Sequence, residues 1–406
     1  MAKTIIVLVA LLAGIAIGIL LGERAPDITM IADTIGSIWL NALQMTVIPL
    51  VFSLLLAGIL RTAEMASAGK MTARAIGWMV AILWLSSIMA ALVTPALLSL
   101  FPLGDSARDA LQGALGGAPD TGTVPAFGEF LRAIVPTNPV AAAADNAILP
   151  LIVFTLAFAF AVTRLQQDSR ELLQRIFQAL ADAMIVLIGW VLALAPIGVA
   201  ALGLVLGTKV GATAFGAIGH YVLIVIAVGT VIWLAAFLVA GLGGRIGPLA
   251  FLRASIPAQA VAISTQSSLA SLPAMVTGVK QVGVGERSAE VVLPIAVALF
   301  RATGPCMNLA VSIYVAHLLG YEVGFGQMMA GVVVAAITTM GAVSLPGSIS
   351  FISSIAPINI AMGLPVEVLA ILLAIEVFPD IMRTLGNVLM DMAVTIMIAR
   401  QEGDIA

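Results

Sequence analysis

The sequence predicts an all-α polytopic membrane protein with eight transmembrane helices and two further segments too broken to span. Three observations predict it. Of 406 residues, 61% are hydrophobic and 10% charged, whereas a soluble domain carries about 25% charged residues. Apolar runs long enough to cross a core about 30 Å thick cover residues 4–22, 35–60, 76–101, 139–163, 183–208, 216–243, 287–318 and 366–399. Two serine-rich segments, "AISTQSSLASLPAM" at 262–275 and "GAVSLPGSISFISS" at 341–354, carry prolines where a spanning helix would not.

The first run could pass for a signal peptide. It is long enough to span and lacks a small-residue cleavage site, so it is read as the first helix. Of the 18 Lys and Arg, twelve fall on the side of the N-terminus and four on the other. The positive-inside rule then places both termini in the cytoplasm, and the loop 102–135 on the extracellular side of an inner membrane. Arg301 and Arg383 remain at membrane depth. The net charge of −3 includes no basic block, so no nucleic acid is expected as partner. The single cysteine, Cys306, excludes an internal disulfide.

The two interrupted segments share "SLP", at Ser271–Pro273 and Ser344–Pro346. Non-helical backbone at membrane depth survives only where it lines a cavity or is buried in protein. An echo between two such segments points to inverted repeats around a binding site. A pair of polar loops is the plainer reading.

The eighth run holds "EVFPDIMRTLGNVLMD", residues 376–391. At 100° per residue, Glu376, Asp380, Arg383, Asn387 and Asp391 fall within an arc of about 80°. Each charge at the bilayer centre costs about 2.5–3.5 kcal/mol, so the stripe must face a partner, a cavity or water. A docking pair of Asp380 with Arg383 would leave Glu376 and Asp391 without partners. As a binding wall, Arg383 offers a planar fork suited to a carboxylate, and Asp380 suits an ammonium. Asp391 with the carbonyl of Asn387 offers hard oxygen ligation for a small cation such as sodium. An intramembrane aspartyl protease using Asp380 and Asp391 fails, because eleven residues of helix separate them by about 16 Å and such a dyad must share a proton.

These residues resemble the dicarboxylate/amino acid:cation symporters, the family of the glutamate and aspartate transporters. The resemblance runs along nearly the whole chain. "QMTVIPLVFSLLLAGI" at 44–59 is similar to the second helix of that family, and "IVPTNP" at 134–139 to the start of its fourth. "APIGV" at 195–199 is similar to its fifth, "STQSSLASLP" at 264–273 to its first re-entrant hairpin, and "SLPGS" at 344–348 to the tip of its second. "DIMRTLGNVLMD" at 380–391 resembles its D-x-x-R-T-x-x-N-x-x-x-D pattern.

The resemblance implies a homotrimer embedded in lipid, with static scaffolds and mobile transport domains that move like elevators. Scaffold helices would cover 1–75 and 136–212, and the third helix of the transport domain 76–101. The rest of that domain would be 213–400, with hairpins at about 252–282 and 327–363, and a tail at 401–406. It implies cation-coupled uptake of an acidic amino acid, by sodium, a proton or both, with no cofactor and no enzymatic activity. Arg383 would hold the side-chain carboxylate of the substrate and Asp380 its amino group. Thr384, Asn387, Ser267, Ser268, Gln266, Ser344, Leu345, Pro346 and Gly347 would complete the substrate site. Asp391 and Asn387 would ligate sodium. Glu376 stands where the family often has an aspartate near the cation region. Members that take only dicarboxylates generally lack the aspartate at position 380.

The chain departs from the family in its seventh helix. Where "NMDGT" supplies cation ligands, this sequence reads "FRATG", Phe300 to Gly304. Two oxygen donors are lost and Arg301 arrives. Ser86 and Ser87 fall near the partners of that lost site. Two charges about 4 Å apart at an effective dielectric near 20 interact by about 4 kcal/mol, so Arg301 could stand in for a bound cation. It could also simply pair with Asp391 or Glu376. Reduced ion coupling is expected, carried by Asp391 or through Glu376 or Asp380. A C4-dicarboxylate or neutral amino acid symporter is the alternative, since Gln266 and Leu269 alter the hairpin lining. An anion channel or transport-dead sensor is the alternative of another class. His220 and His317, near helix ends, are read as interface residues.

Overall fold

The computed structural model describes residues 2–22, 25–67, 69–104, 134–210, 213–341 and 347–405. Most of the expected loop 102–135, and the tip residues Ser344, Leu345 and Pro346, lie outside them. Among the described residues the chain is helical throughout, with one isolated β-bridge, Val284 to Ile405.

The helices are α1 (Ala2–Leu21), α2 (Pro26–Gln44), α3 (Val47–Ser67), α4 (Lys70–Leu100), α5 (Pro139–Ala144), α6 (Ile148–Val162), α7 (Gln167–Ala193), α8 (Ala195–Val210) and α9 (Thr213–Leu238). They continue as α10 (Pro248–Thr265), α11 (Ser268–Gln281), α12 (Glu286–Leu299), α13 (Thr303–Leu319), α14 (Phe325–Gly341), α15 (Gly347–Ala361), α16 (Val368–Ile375) and α17 (Val377–Glu402). Six helical stretches are long and apolar enough to cross a membrane, and further apolar helices are shorter. The expected spans at 35–60, 139–163, 183–208, 287–318 and 366–399 are each divided in two.

Proline accounts for where four of these five divisions fall, the exception being that at Leu194. It cannot donate to the carbonyl four residues back, and its ring crowds that carbonyl. Met45, Asn146 and Arg301 lie in breaks four residues before Pro49, Pro150 and Pro305, and Ile375, four before Pro379, ends α16. Prolines 95, 257, 273, 294 and 357 leave their helices continuous. Proline therefore permits a break, and packing decides whether it opens.

The helices α10 and α11 pack as a hairpin, as do α14 and α15. The tip of the first is a tight turn. Gln266 closes α10 in the left-handed conformation (φ 51°), and the Ser267 side chain caps α11 by accepting from the Ala270 N–H at 3.2 Å. A left-handed non-glycine residue is uncommon and costs of order 1 kcal/mol, which the surroundings must offset.

The close packing of α1 against α8 rests on glycine. Gly14 and Gly18 of α1 face the backbone of Ala200, Leu204 and Thr208, while Gly203 and Gly207 of α8 face Leu11 and Ile15. Both helices thus carry a G-x-x-x-G face. In lipid, helices gain little from hydrophobicity, and small residues that let backbones approach supply the packing.

At the C-terminal end, Gly403 (φ 71°) turns the chain so that Asp404 reaches α12. The N-cap of α12 is Gly285, which has no side chain to cap with. Asp404 supplies the cap: its Oδ2 accepts from the Ser288 N–H at 2.8 Å and its carbonyl from the Gly285 N–H at 2.9 Å. The donated hydrogen bonds hold its carboxyl below the usual aspartate range. Arg74 pairs with Glu402 beside it.

Gly207→Ala, which drives a methyl into the Ile15 backbone, is expected to cost about 1–3 kcal/mol. Gly77→Ala, which meets only open space, should add up to about 1 kcal/mol through helix propensity. Melting temperatures in detergent check the order. Asp404→Ala should cost about 1 kcal/mol as a lost cap at neutral pH. A lowered folded-state pKa stabilises above the unfolded value, near 3.9, and that stabilisation fades as pH falls through the folded value. The gap in melting temperature between Asp404→Ala and the parent should therefore close in acid.

Candidate functional site

The polar stripe of α17 is buried: Glu376 is 3% exposed, Asp380 and Arg383 8% each, and Asp391 0%. Charges so placed require partners, and Arg383 has three. Its Nη2 donates to Glu376 Oε1 at 2.7 Å, its Nη1 to Asn308 Oδ1 at 2.6 Å, and its Nε lies 3.6 Å from Asp380 Oδ1. The docking pair of Arg383 with Asp380, weighed as an alternative in the sequence, is present at 3.6 Å, and Glu376, which that pair was expected to leave without a partner, stands closer. The helix break explains this. Glu376 sits at the joint of α16 and α17, with φ −58° and ψ −21°, two turns from Arg383, and its flexible side chain reaches back along the helix.

The break between α12 and α13 is fastened to the same helix. The Thr303 N–H and hydroxyl meet Asn387 Oδ1 at 2.9 and 2.7 Å, and the hydroxyl also lies 2.9 Å from the Arg383 carbonyl. From α4, the Ser86 hydroxyl donates to the Ala302 carbonyl at 2.5 Å and Ser87 to the Val332 carbonyl at 2.8 Å. Asn387 Oδ1 and the Ser86 and Ser87 hydroxyls thus each have a partner within the protein. The Thr384 hydroxyl donates to the Asp380 carbonyl at 2.9 Å, within its own helix.

Two charged groups are left over. Both oxygens of Asp391 are buried without a hydrogen-bond partner. Arg301, in the α12–α13 break, lies within electrostatic reach of Asp380, Arg383 and Asp391. Among the described residues it forms no ion pair within 4 Å. The pairing of Arg301 with Asp391 or Glu376 that the sequence allowed is therefore not formed at contact distance. Glu376 is already held by Arg383.

The first hairpin reaches this site. Gln266 Nε2 donates to the Val377 carbonyl at 3.0 Å, which brings the α10–α11 tip to the start of α17. Ser267 and Ser268 are half-buried at that tip, with the Ser267 hydroxyl spent on its cap. Of the expected second tip only Gly347, which opens α15, is described. A cavity of about 320 Å³, lined by Pro95, Leu98, His317 and Tyr321 among others, shares no residue with the stripe. The stripe itself is covered in this structure.

Asn308 and Thr303 join the site without having been read from the sequence. Asn308 is the only amide in α13, which was the available signal. Thr303 stood in the "FRATG" stretch but was counted only as part of a lost motif.

Divided helices and a buried ionic cluster beside the α10–α11 tip, in a chain with helices long and apolar enough to cross a membrane, fit the class of membrane transport proteins. Comparison with known proteins narrows the class. Residues 5–401 match the model of the sodium:dicarboxylate symporter family, and the chain belongs to that family. It is 25% identical to the C4-dicarboxylate transport protein of Rhodospirillum rubrum over 98% of this chain and 89% of that protein. It is 27% identical to C4-dicarboxylate transport protein 2 of Ralstonia nicotianae, over 97% of this chain and 89% of that protein. With the C4-dicarboxylate transport protein of Bacillus subtilis the identity is 23%, over 98% of this chain and 93% of that protein.

Asn308→Leu leaves a buried guanidinium N–H without its acceptor. The expected cost is about 1.5–3 kcal/mol, as for other hydrogen bonds to charged groups. A melting temperature equal to the parent's would show that Arg383 does not depend on Asn308.

Proposed function

We propose that this protein carries an acidic amino acid, aspartate or glutamate, into the cell with a coupled proton. The observation that carries the reading is the occupation of Arg383 by Glu376 at 2.7 Å. A tethered carboxylate sits where the side-chain carboxylate of the substrate would sit. The substrate must displace it, and a displaced buried carboxylate is stable only when protonated or newly paired. Binding of the anion and uptake of a proton are thereby one event. Asp380, beside the guanidinium, then receives the ammonium of the substrate. Thr384, Asn387 and the first-hairpin residues Gln266, Ser267 and Ser268 line the pocket once the tip withdraws from Val377. Ser344, Leu345, Pro346 and Gly347 form the opposite gate.

Arg301 takes the place of a bound cation near Asp391. The loss of the acidic motif at Phe300–Gly304 and the arrival of Arg301 there support fewer coupling ions. A second reading, sodium at Asp391, is favoured by the two orphan carboxylate oxygens there. Likewise the names of the relatives favour a C4-dicarboxylate as substrate. The larger frame is an elevator in a homotrimer: residues 76–101 and 213–400 move against a scaffold of 1–75 and 136–212, with both termini cytoplasmic.

The experiment is uptake of labelled aspartate into proteoliposomes, with proton and sodium gradients imposed separately. An inward proton gradient should drive accumulation, and replacing sodium by choline at fixed pH should leave it intact. A strict sodium requirement would move the coupling to Asp391. Unlabelled succinate that competes where glutamate does not would move the substrate to the dicarboxylates. Arg383→Ala should reduce acidic uptake by about two orders of magnitude, the worth of a buried charge-assisted pair. Glu376→Gln should still bind aspartate but no longer concentrate it on a proton gradient.

A further inference from the structure

We propose that Arg301 holds the second carboxylate of the substrate and so restricts this site to solutes with two carboxylates. The proposal deepens the reading of an acidic amino acid given above and rests on it. It starts from an arginine that holds nothing. Phe300, Ala302 and Thr303 are buried, yet Arg301 among them is only half-buried. Among the described residues its side chain makes no hydrogen bond and no ion pair. A charge at membrane depth without a partner is costly, and a solute carboxylate would supply the partner. The backbone fixes where this arginine stands. Thr303, two residues on, meets Asn387 Oδ1 at 2.7 Å and the Arg383 carbonyl at 2.9 Å through its hydroxyl. Gly304 packs against Thr339 in the last turn of α14: a Cβ added there would lie 2.8 Å from Thr339 Cγ2 and 3.6 Å from Arg301 Cβ. Two residues of chain span at most about 7 Å. Arg301 therefore stands beside the stripe of α17, on the side of the second hairpin, and Asp380, Arg383 and Asp391 are the charged groups within its reach.

Arg383 cannot hold two carboxylates. Its Nη1 is taken by Asn308 at 2.6 Å, and its Nε faces Asp380 at 3.6 Å. A solute that displaces Glu376 gains the Nη2 side, which suits one carboxylate. The start of α13 has little backbone to offer a second. The Thr303 N–H donates to Asn387 Oδ1, the Gly304 N–H donates to the Arg301 carbonyl at 2.9 Å, and Pro305 has no N–H. At the first hairpin tip the Ser267 hydroxyl is engaged by the Ala270 N–H. Among the described residues around the stripe, Arg301 alone brings a positive charge and a planar donor fork with no partner already in place. With aspartate bound, the side-chain carboxylate takes Arg383, the ammonium takes Asp380 and the α-carboxylate takes Arg301. A solute with one carboxylate leaves a guanidinium unanswered, and the desolvation of that charge is then not offset. The sequence read Arg301 as a stand-in for a bound cation or as a partner of Asp391 or Glu376. Its lack of any contact in the folded chain is what points to a solute.

The test measures, in proteoliposomes, how well aspartate and two truncated analogues inhibit exchange of labelled aspartate. Asparagine keeps the α-carboxylate and lacks the other; β-alanine keeps the other and lacks the α-carboxylate. Both analogues are zwitterions of zero net charge, so a field acting at a distance does not separate them by net charge. The parent is compared with Arg301→Met and Arg301→Lys. Arg301→Met should weaken aspartate and asparagine about thirtyfold, the scale of a hydrogen bond to a charged group, and leave β-alanine within about twofold. Unchanged β-alanine inhibition also shows that the variant is folded. Arg301→Lys, which keeps the charge and loses the fork, should fall between the two. Equal weakening of all three solutes would overturn the proposal in favour of a structural role. Weakening of β-alanine but not asparagine would overturn the assignment of the α-carboxylate. If the parent binds succinate and not aspartate, the amino-acid reading falls by itself. The comparison is then succinate against propionate, its analogue with one carboxylate: Arg301→Met should weaken succinate alone, and equal weakening of both would overturn the role of Arg301.

Discussion

A guanidinium buried among apolar helices is the constraint around which this molecule is organised. An uncompensated charge in such surroundings costs several kcal/mol, so Arg383 draws partners from wherever the chain can supply them. Glu376 and Asp380 come from its own helix and Asn308 from the facing one. The last of these matters for assembly, because it locks α13 to α17. Thr303 strengthens the same seam one turn away. The two helices that carry the site are thereby held to each other by polar contacts that water would weaken. The nearly complete burial of the cluster keeps water out.

Broken helices and side-chain donors are linked for the same reason. A break frees carbonyls that a continuous helix would satisfy, and buried carbonyls need donors. Ser86 serves Ala302 at the α12–α13 break, and Gln266 serves Val377 at the start of α17. Each service contact also positions something: Ser86 ties α4 to the break, and Gln266 ties the hairpin tip to the stripe. Gln266 adopts its left-handed backbone at that tip, where the contact to Val377 helps to offset the strain. Contacts of this kind can be exchanged for contacts to a bound solute, which is what a gate requires.

Asp391 and Arg301 show a charge balance reached at a distance. No group donates to either Asp391 oxygen, and Arg301 answers it electrostatically without touching it. Near this unpartnered carboxylate the chain places a fixed cation, Arg301. A fixed cation holds negative charge near it but cannot dissipate a gradient. In the proposed cycle the work of coupling passes to the carboxylate that can leave its partner, Glu376.

Much of this was legible in the sequence. Hydropathy alone announced a membrane protein, and the 3.6-residue period placed Glu376, Asp380, Arg383, Asn387 and Asp391 on one face, because helix geometry is local. The altered "FRATG" stretch was equally visible, since it needs only a motif to be compared with. What the sequence could not supply were partners from other helices: Asn308 on Arg383, Thr303 on Asn387, and Phe101 and Tyr314 on either side of His220. Nor could it choose among the prolines, five of which leave their helices intact. Both failures have one cause. A hydrogen bond across helices, or a break that survives in a low-dielectric interior, depends on which donors lie across the gap, and packing alone brings those donors there.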